Sequence, residues 1–224
     1  MRHPPAMHRW PVSPRSALRI QQRLAPQVRI EPLTSPVRLV AGADLAFSPD
    51  NQRCLAGLVV YDLETRTVVE ETLAWKPVRF PYVPGLLSFR EIPAILAAVR
   101  KLRSTPDVFM FDGQGYAHPR RIGLASHAGL LLDRPTIGAA KSRLIGEHDE
   151  PPLEAGSYTP LVHRGEIIGA VLRTRTGVRP IYVSVGHRVT LENAIAIVLK
   201  CVTKYRLPEP TRLAHQLVTR NRSA

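Results

Sequence analysis

Residues 107–121 read DVFMFDGQGYAHPRR, and this run sets the layer architecture. Val108, Phe109, Met110 and Phe111 follow one another with no polar residue between them, which marks a short strand buried on both faces, the kind found in parallel sheets. Asp112 ends it, GQGYAHPRR reads as a loop, and Pro119 suits the first turn of a helix running to about Leu132. A strand buried on both sides needs a layer on each side, so an α/β architecture is expected. Upstream, RLVAGADLAF (38–47), CLAGLVVY (54–61) and TVVEETLA (67–74) read as three strands. The short polar link DLETR suits a hairpin, so these three should form an antiparallel meander.

FPYVPG (80–85) is too rich in proline for regular structure. Ser88 then opens SFREIPAILAAVRKL, with Glu91 placed to complete a capping box and Pro93 moving the expected start of the regular helix to near Ile92. Downstream, PTIGAAKS (135–142) reads as a buried strand ending in Lys141, and the acid-rich 147–158 as a surface loop. EIIGAVLRT and RPIYVSV form a strand pair around Gly177, a helix runs from Thr190 to about Tyr205, and Thr211 caps a final basic helix. Near the start, SALRIQQRLAPQV spaces Leu18, Ile20, Leu24 and Val28 as a short basic amphipathic helix. The expectation is an α/β fold: a central mixed sheet with an antiparallel three-strand meander and helices on both faces. Residues 15–224 form one domain behind a loose leader, 1–14.

Composition agrees with a packed domain. In 224 residues, 44% are hydrophobic and 22% charged, enough apolar side chains for a core. Cys54 and Cys201 sit in apolar runs without CxxC spacing, which argues against a zinc or iron-sulfur cluster and suits a reducing compartment. No apolar stretch approaches the ~18–20 residues of a membrane span, so a soluble, cytoplasmic, monomeric protein is expected. The net charge of +13 is concentrated at the ends: residues 1–30 hold six Arg and no acid, and 200–224 hold six basic residues against Glu209 alone. If both ends lay on one face they would make a track for phosphates; charge alone leaves open a basic tail with a solvated helix face, and other acidic partners including membrane surfaces.

Asp44 lies inside an apolar strand and Asp112 at the end of the most apolar one, and a carboxylate there needs a cation, a donor cluster or a metal. Glu91 is a third acid, at a helix start. Three acids around one point would call for a hard cation such as Mg²⁺ or Mn²⁺, able to support phosphodiester cleavage. Each also has a plain structural reading: a turn cap for Asp112, an ion pair for Asp44, a capping box for Glu91. His215, on the basic helix, is a further ligand or an ordinary surface histidine. His118, Arg120 and Lys141 are candidates to meet a phosphate, and Gly113 and Gly115 would let backbone come close to a substrate. Tyr82, stiffened by Pro81 and Pro84, could wedge into a base stack or simply pack on the domain; Tyr116 could stack or cover the site. No P-loop, GxSxG or HExxH occurs, which removes the commonest NTPase, serine-hydrolase and zincin motifs.

AGADLAF (41–47), FPYVPGLLSFRE (80–91), FDGQGYAHPRRIGLASHAGLLLDRPTIGAAKSRLIG (111–146), VLRTR (171–175), VSVGHRVTLENAI (183–195) and LPEPTRLAHQ (207–216) together resemble the endonuclease V family, the deoxyinosine 3′ endonucleases. The resemblance implies an RNase H-like fold and a Mg²⁺-dependent nuclease, with Mn²⁺ as a substitute, that cuts the second phosphodiester 3′ to deoxyinosine and leaves a 3′-hydroxyl and a 5′-phosphate. It further implies that Asp44, Glu91, Asp112 and His215 hold the metal and that Lys141 sits near the scissile phosphate. Tyr82, with Pro81, Val83 and Pro84, would be the strand-separating wedge; Leu87, Gly113, His118 and Gly138 would surround the extruded base. Ala43, Leu45 and Phe47 depart from the family's first strand without touching Asp44. Inosine-containing RNA as the substrate and a non-catalytic nucleic-acid-binding module remain as alternatives.

Overall fold

The computed structural model describes residues 7–10 and 13–222, and the remainder of the expected leader lies outside these. The chain runs through α1 (Pro14–Leu24), β1 (Leu39–Phe47), β2 (Arg53–Asp62), β3 (Thr67–Pro77), α2 (Ser88–Val99), β4 (Val108–Phe111), α3 (Leu124–Leu132) and β5 (Thr136–Ala140). It continues through β6 (Tyr158–His163), β7 (Glu166–Leu172), β8 (Ile181–His187), α4 (Leu191–Lys200) and α5 (Glu209–Asn221). All eight strands join one mixed sheet in the order β3-β2-β1-β4-β5-β8-β7-β6. β1, β2 and β3 form the expected antiparallel meander, while β4 lies between β1 and β5, parallel to both. The apolar run of β4 is explained by this position: Phe109 and Phe111 face the core beneath α2 and α3, and Val108 and Met110 face the core beneath α4.

Alternation along β1 separates the two layers. Ala41 and Ala43 pack toward α2 and α3, whereas Gly42 and Asp44 face α5. α1 lies outside the α2 and α3 layer, burying Ala17 against Phe80, Leu86 and Phe89, and Leu24 against Ile122 and Leu130. Among the described residues, the two basic helices α1 and α5 therefore lie on opposite sides of the sheet and do not share one basic face.

Several local expectations are corrected. α2 starts at Ser88 and carries Pro93 inside it. Pro93 has no N–H for the Phe89 carbonyl, but Ala94, Ile95 and Ala98 bury against the sheet and override that local cost. There is no capping box: Leu87 is the N-cap, and the Ser88 hydroxyl is buried 3.0 Å from Nδ1 of His127. Pro119 is in the loop and α3 begins only at Leu124; α4 ends at Lys200. Thr211 is within α5, its hydroxyl donating to the Pro208 carbonyl, and Pro208 is the N-cap. The edge strand β6 was not expected from its sequence, because Pro160 and exposed polar positions obscure its period. Cys54 and Cys201 are free and buried, and burial pushes both thiols up to about 12.

His127 is fully enclosed, with its Nε2 2.9 Å from Nε2 of His8, and His8 also packs edge-on against Trp10. Burial, followed by the charge of His8, pushes His127 down to about 3. A histidine that stays neutral when folded but ionises near 6.5 when unfolded gives stability that is complete above 6.5 and is lost as pH falls from 6.5 toward 3. Between pH 7 and 4.5 the wild type should therefore lose on the order of 2 kcal/mol more than His127→Gln in urea unfolding. Equal losses would rule out this histidine as the source.

Candidate active site

Parallel pairing of β1 and β4 places Ala43 beside Phe111, so the next residues, Asp44 and Asp112, are neighbours at the carboxyl end of β4. β5 runs the same way, with Gly138 beside Phe111, and delivers Lys141 to the same end. Lys141 forms an ion pair with Asp112. Sites in such sheets collect beyond the carboxyl ends of parallel strands, because loops there diverge and leave a crevice. Glu91 reaches this crevice from the first turn of α2, and His215 of α5 places Nδ1 2.7 Å from Oδ2 of Asp44.

Asp44 and Glu91 both feel the neighbouring carboxylates. Burial raises the Asp44 carboxyl above its ordinary range; the His215 bond opposes this, and the charge of Asp112 adds to it. Glu91 is pushed up to about 7, first by burial, then by Asp44, with Asp112 adding and Arg90 opposing. Carboxylates that make each other costly to ionise are a donor set that a divalent cation would relieve, and their oxygen chemistry fits Mg²⁺ or Mn²⁺. Among the described residues no three His, Cys, Asp or Glu side chains are gathered as a finished metal-ligand group. Asp44 turns to His215 and Asp112 to Lys141 instead.

Beside the acids opens a cavity of about 370 Å³, and Leu87, Glu91, Asp112, Gly113, His118 and Lys141 are all on its wall. Gly138 lies behind that wall: a Cβ there would come within 2.5 Å of the Gly113 carbonyl oxygen and 2.6 Å of the Gly115 nitrogen. It lets the DGQG loop settle on β5. Pro81, Tyr82 and Pro84 stand out in solvent at the cavity's rim, Tyr82 being 69% exposed, so this tyrosine does not pack on the domain. Val83 instead packs inward with Phe80, Leu86 and Phe89. Tyr116 is the candidate that the fold draws away: its hydroxyl donates to Glu166 at 2.6 Å, and its ring borders a different hollow near β6 and β7.

Two glutamines carried no signal in the sequence. Gln21 of α1 donates to the carbonyls of Gly85 and Ile122, and its own oxygen accepts from Arg120 Nε. Arg120 and His118 also donate to the Gly85 carbonyl, so three side chains anchor the base of the Tyr82 loop. Because the Arg120 amide donates to Nδ1 of His118, the proton of this ring sits on Nε2. Burial, then the Arg120 charge, pushes His118 down to about 4, which keeps it neutral at pH 7. Gln114 donates from Nε2 to the Ser142 carbonyl, while its buried Oε1 has no donor among the described residues.

The family model for endonuclease V matches residues 22–216. The chain belongs to the endonuclease V family. An endonuclease V of Trichormus variabilis is 53% identical over 213 residues, which is 95% of this chain and 96% of that protein. The crystal structure of endonuclease V from Streptomyces avermitilis matches with a TM-score of 0.91 and 44% identity, covering 95% of this chain and 94% of that one. Endonuclease V of Ciona intestinalis, crystallised with a 24mer DNA containing an inosine followed by a ribo-adenosine, matches with a TM-score of 0.80 and 28% identity over 92% of this chain and 96% of that one. The fold is the RNase H-like one of endonuclease V, with its parallel centre, antiparallel meander and helices on both faces.

Proposed function

We propose that this endonuclease V is a DNA-repair enzyme that recognises deoxyinosine and hydrolyses the second phosphodiester on its 3′ side, leaving a 3′-hydroxyl and a 5′-phosphate. The observation that carries the reading is the convergence of Asp44, Glu91 and Asp112, with Asp44 and Glu91 raised in proton affinity, beside Lys141 and an open cavity. The Ciona relative's inosine-containing DNA supports the choice of substrate.

In this reading the exposed Tyr82 keeps a locally opened duplex apart. The deaminated base enters the cavity, where Leu87, Gly113, neutral His118 and the unpartnered Gln114 Oε1 face it or flank it. Gln114 Oε1 is an acceptor that a base N–H would satisfy. Lys141 trades Asp112 for the scissile phosphate, so the lesion's position sets which bond lies over the acids. Asp44, Glu91, Asp112 and His215 would hold Mg²⁺, with Mn²⁺ as a substitute. When bound, such an ion activates water and offsets charge on the leaving oxygen. The reading includes a monomer in the cytoplasm, where two free buried thiols are compatible with reducing conditions.

The test incubates the protein with matched DNA and RNA oligonucleotides carrying one inosine, with Mg²⁺ or with EDTA, and maps the ends. The expected product is DNA cut one nucleotide beyond the lesion only with the metal present. Cutting of the RNA alone would move the substrate to inosine-containing RNA, and binding without cutting of either would leave a recognition module.

A further inference from the structure

The loop that carries Tyr82 borders two cavities. Gly85 and Leu87, at its end, belong to the cavity beside the acids, while Arg79 and Phe80, at its start, belong to a second of about 270 Å³. The first turn of α2 divides them in the same way: Ser88 and Glu91 face the first, Phe89 and Arg90 the second.

The second cavity is a groove with the chemistry of a nucleic-acid strand. Four cations line it, Lys76, Arg79, Arg90 and Arg100, and no acid does. None of the four forms an ion pair with a described carboxylate. Arg90 is held in place by the Phe80 carbonyl and the Phe47 ring, and Lys76, Arg79 and Arg100 are exposed. Trp10, 39% exposed, adds an aromatic surface at the wall. The floor follows α2 from Phe89 through Pro93 and Leu96 to Arg100, a run of about 16 Å. That length suits about five nucleotides of one strand. These cations come from β3, the loop and α2, in a part of the chain whose overall charge is nearly neutral, so no basic run announces them.

We propose that this groove receives the strand opposite the lesion once the duplex has been parted over Tyr82. The inference rests on the first cavity holding the lesion strand. A duplex opened on this loop sends one strand to each side of it, and the side away from Glu91 and Asp112 is lined by four cations and no acid. Phosphates lie along Lys76, Arg79 and Arg100, and an unpaired base stacks on Trp10.

The test compares the triple variant Lys76→Ala, Arg79→Ala, Arg100→Ala, and separately Trp10→Ala, with the wild type. Each is given the same inosine-containing DNA as a single strand and as a duplex, in Mg²⁺ for cutting and in EDTA for binding over a salt series. For the triple variant, duplex affinity should fall by at least about tenfold and the salt slope by about 2 to 3, while the single strand is bound and cut as before. Trp10→Ala should weaken duplex binding without altering the salt slope. Equal loss on both substrates, or no loss on either, overturns the proposal. Failure of the wild type to cut either substrate would instead remove the reading of the first cavity. Should the triple variant melt early, Lys76→Glu, a change at one exposed position, carries the same comparison.

Discussion

Replacing Asp112 with Ala is expected to lower cleavage of an inosine-containing duplex by at least about 10³-fold, equivalent to roughly 4 kcal/mol in the barrier. Binding of the same DNA in the absence of metal should stay within about threefold of wild type. Asp112 is the acid that stands beside Asp44 in register, raises the proton affinity of both Asp44 and Glu91, and pairs with Lys141. Its removal takes away one donor for a cation and leaves Lys141 without a fixed position, so both halves of phosphate activation suffer together. Stability should change little. The lost ion pair is partly exposed and worth about 1 kcal/mol or less, and relief of repulsion on Glu91 works in the opposite direction. Single-turnover cleavage, binding in EDTA and thermal unfolding check the three parts. Cleavage near the wild-type rate would refute the role of these acids, and loss of binding would mean that the side chain shapes the cavity instead.

The second large effect is expected at a residue with no chemistry of its own. Gly42→Ala would put a Cβ 2.1 Å from the Pro210 carbonyl carbon, 2.2 Å from its oxygen and 2.5 Å from the Thr211 nitrogen. All three are backbone atoms at the start of α5, so no rotamer change relieves the clash and the helix must lift from the sheet. Overpacking of this kind costs about 2–4 kcal/mol, which for a domain of this size lowers Tm by roughly 5–15 °C. α5 also carries His215 to Asp44, so cleavage should fall by more than the folded fraction does. An unchanged Tm would show that α5 is not seated on β1 as described. A reduced Tm with full activity below it would show that His215 can be displaced without consequence.

Legibility in the sequence followed the size of the local signal. The β4 run and the three strands of the meander were readable because unbroken apolar runs and a polar hairpin link have few competing explanations. Asp44 and Asp112 stood out for the same reason, as charges where burial is costly. The starts of α2, α3 and α5 were misread, whereas Thr190 caps α4 as expected. Ser88 and Glu91 have capping-box spacing, but the hydroxyl is buried beside His127 and Glu91 lines the cavity beside Asp112; Thr211 looked like a cap and lies inside α5. At Ser88 a tertiary partner, His127, competed with the local rule and prevailed, whereas the Thr211 hydroxyl keeps a local partner in the Pro208 carbonyl. Tyr116 failed in a related way, since Glu166, far from it in sequence, and the neighbouring Arg121 hold it away from the cavity.

What the chain alone determined, then, is every strand except the edge strand β6, that they form a mixed sheet, which acids are costly to bury, and, through its motif resemblance, the endonuclease V family. Convergence came from the folded arrangement: parallel register sets Asp44 beside Asp112, α2 adds Glu91, and three donors on the Gly85 carbonyl fix the root of the Tyr82 loop. The same arrangement placed the two basic helices α1 and α5 on opposite sides of the sheet and gathered four scattered cations into a groove. The physical reason is range. Side-chain period and burial cost act within a strand or a helix turn, whereas a charge meets its partner only after the sheet has brought distant segments together.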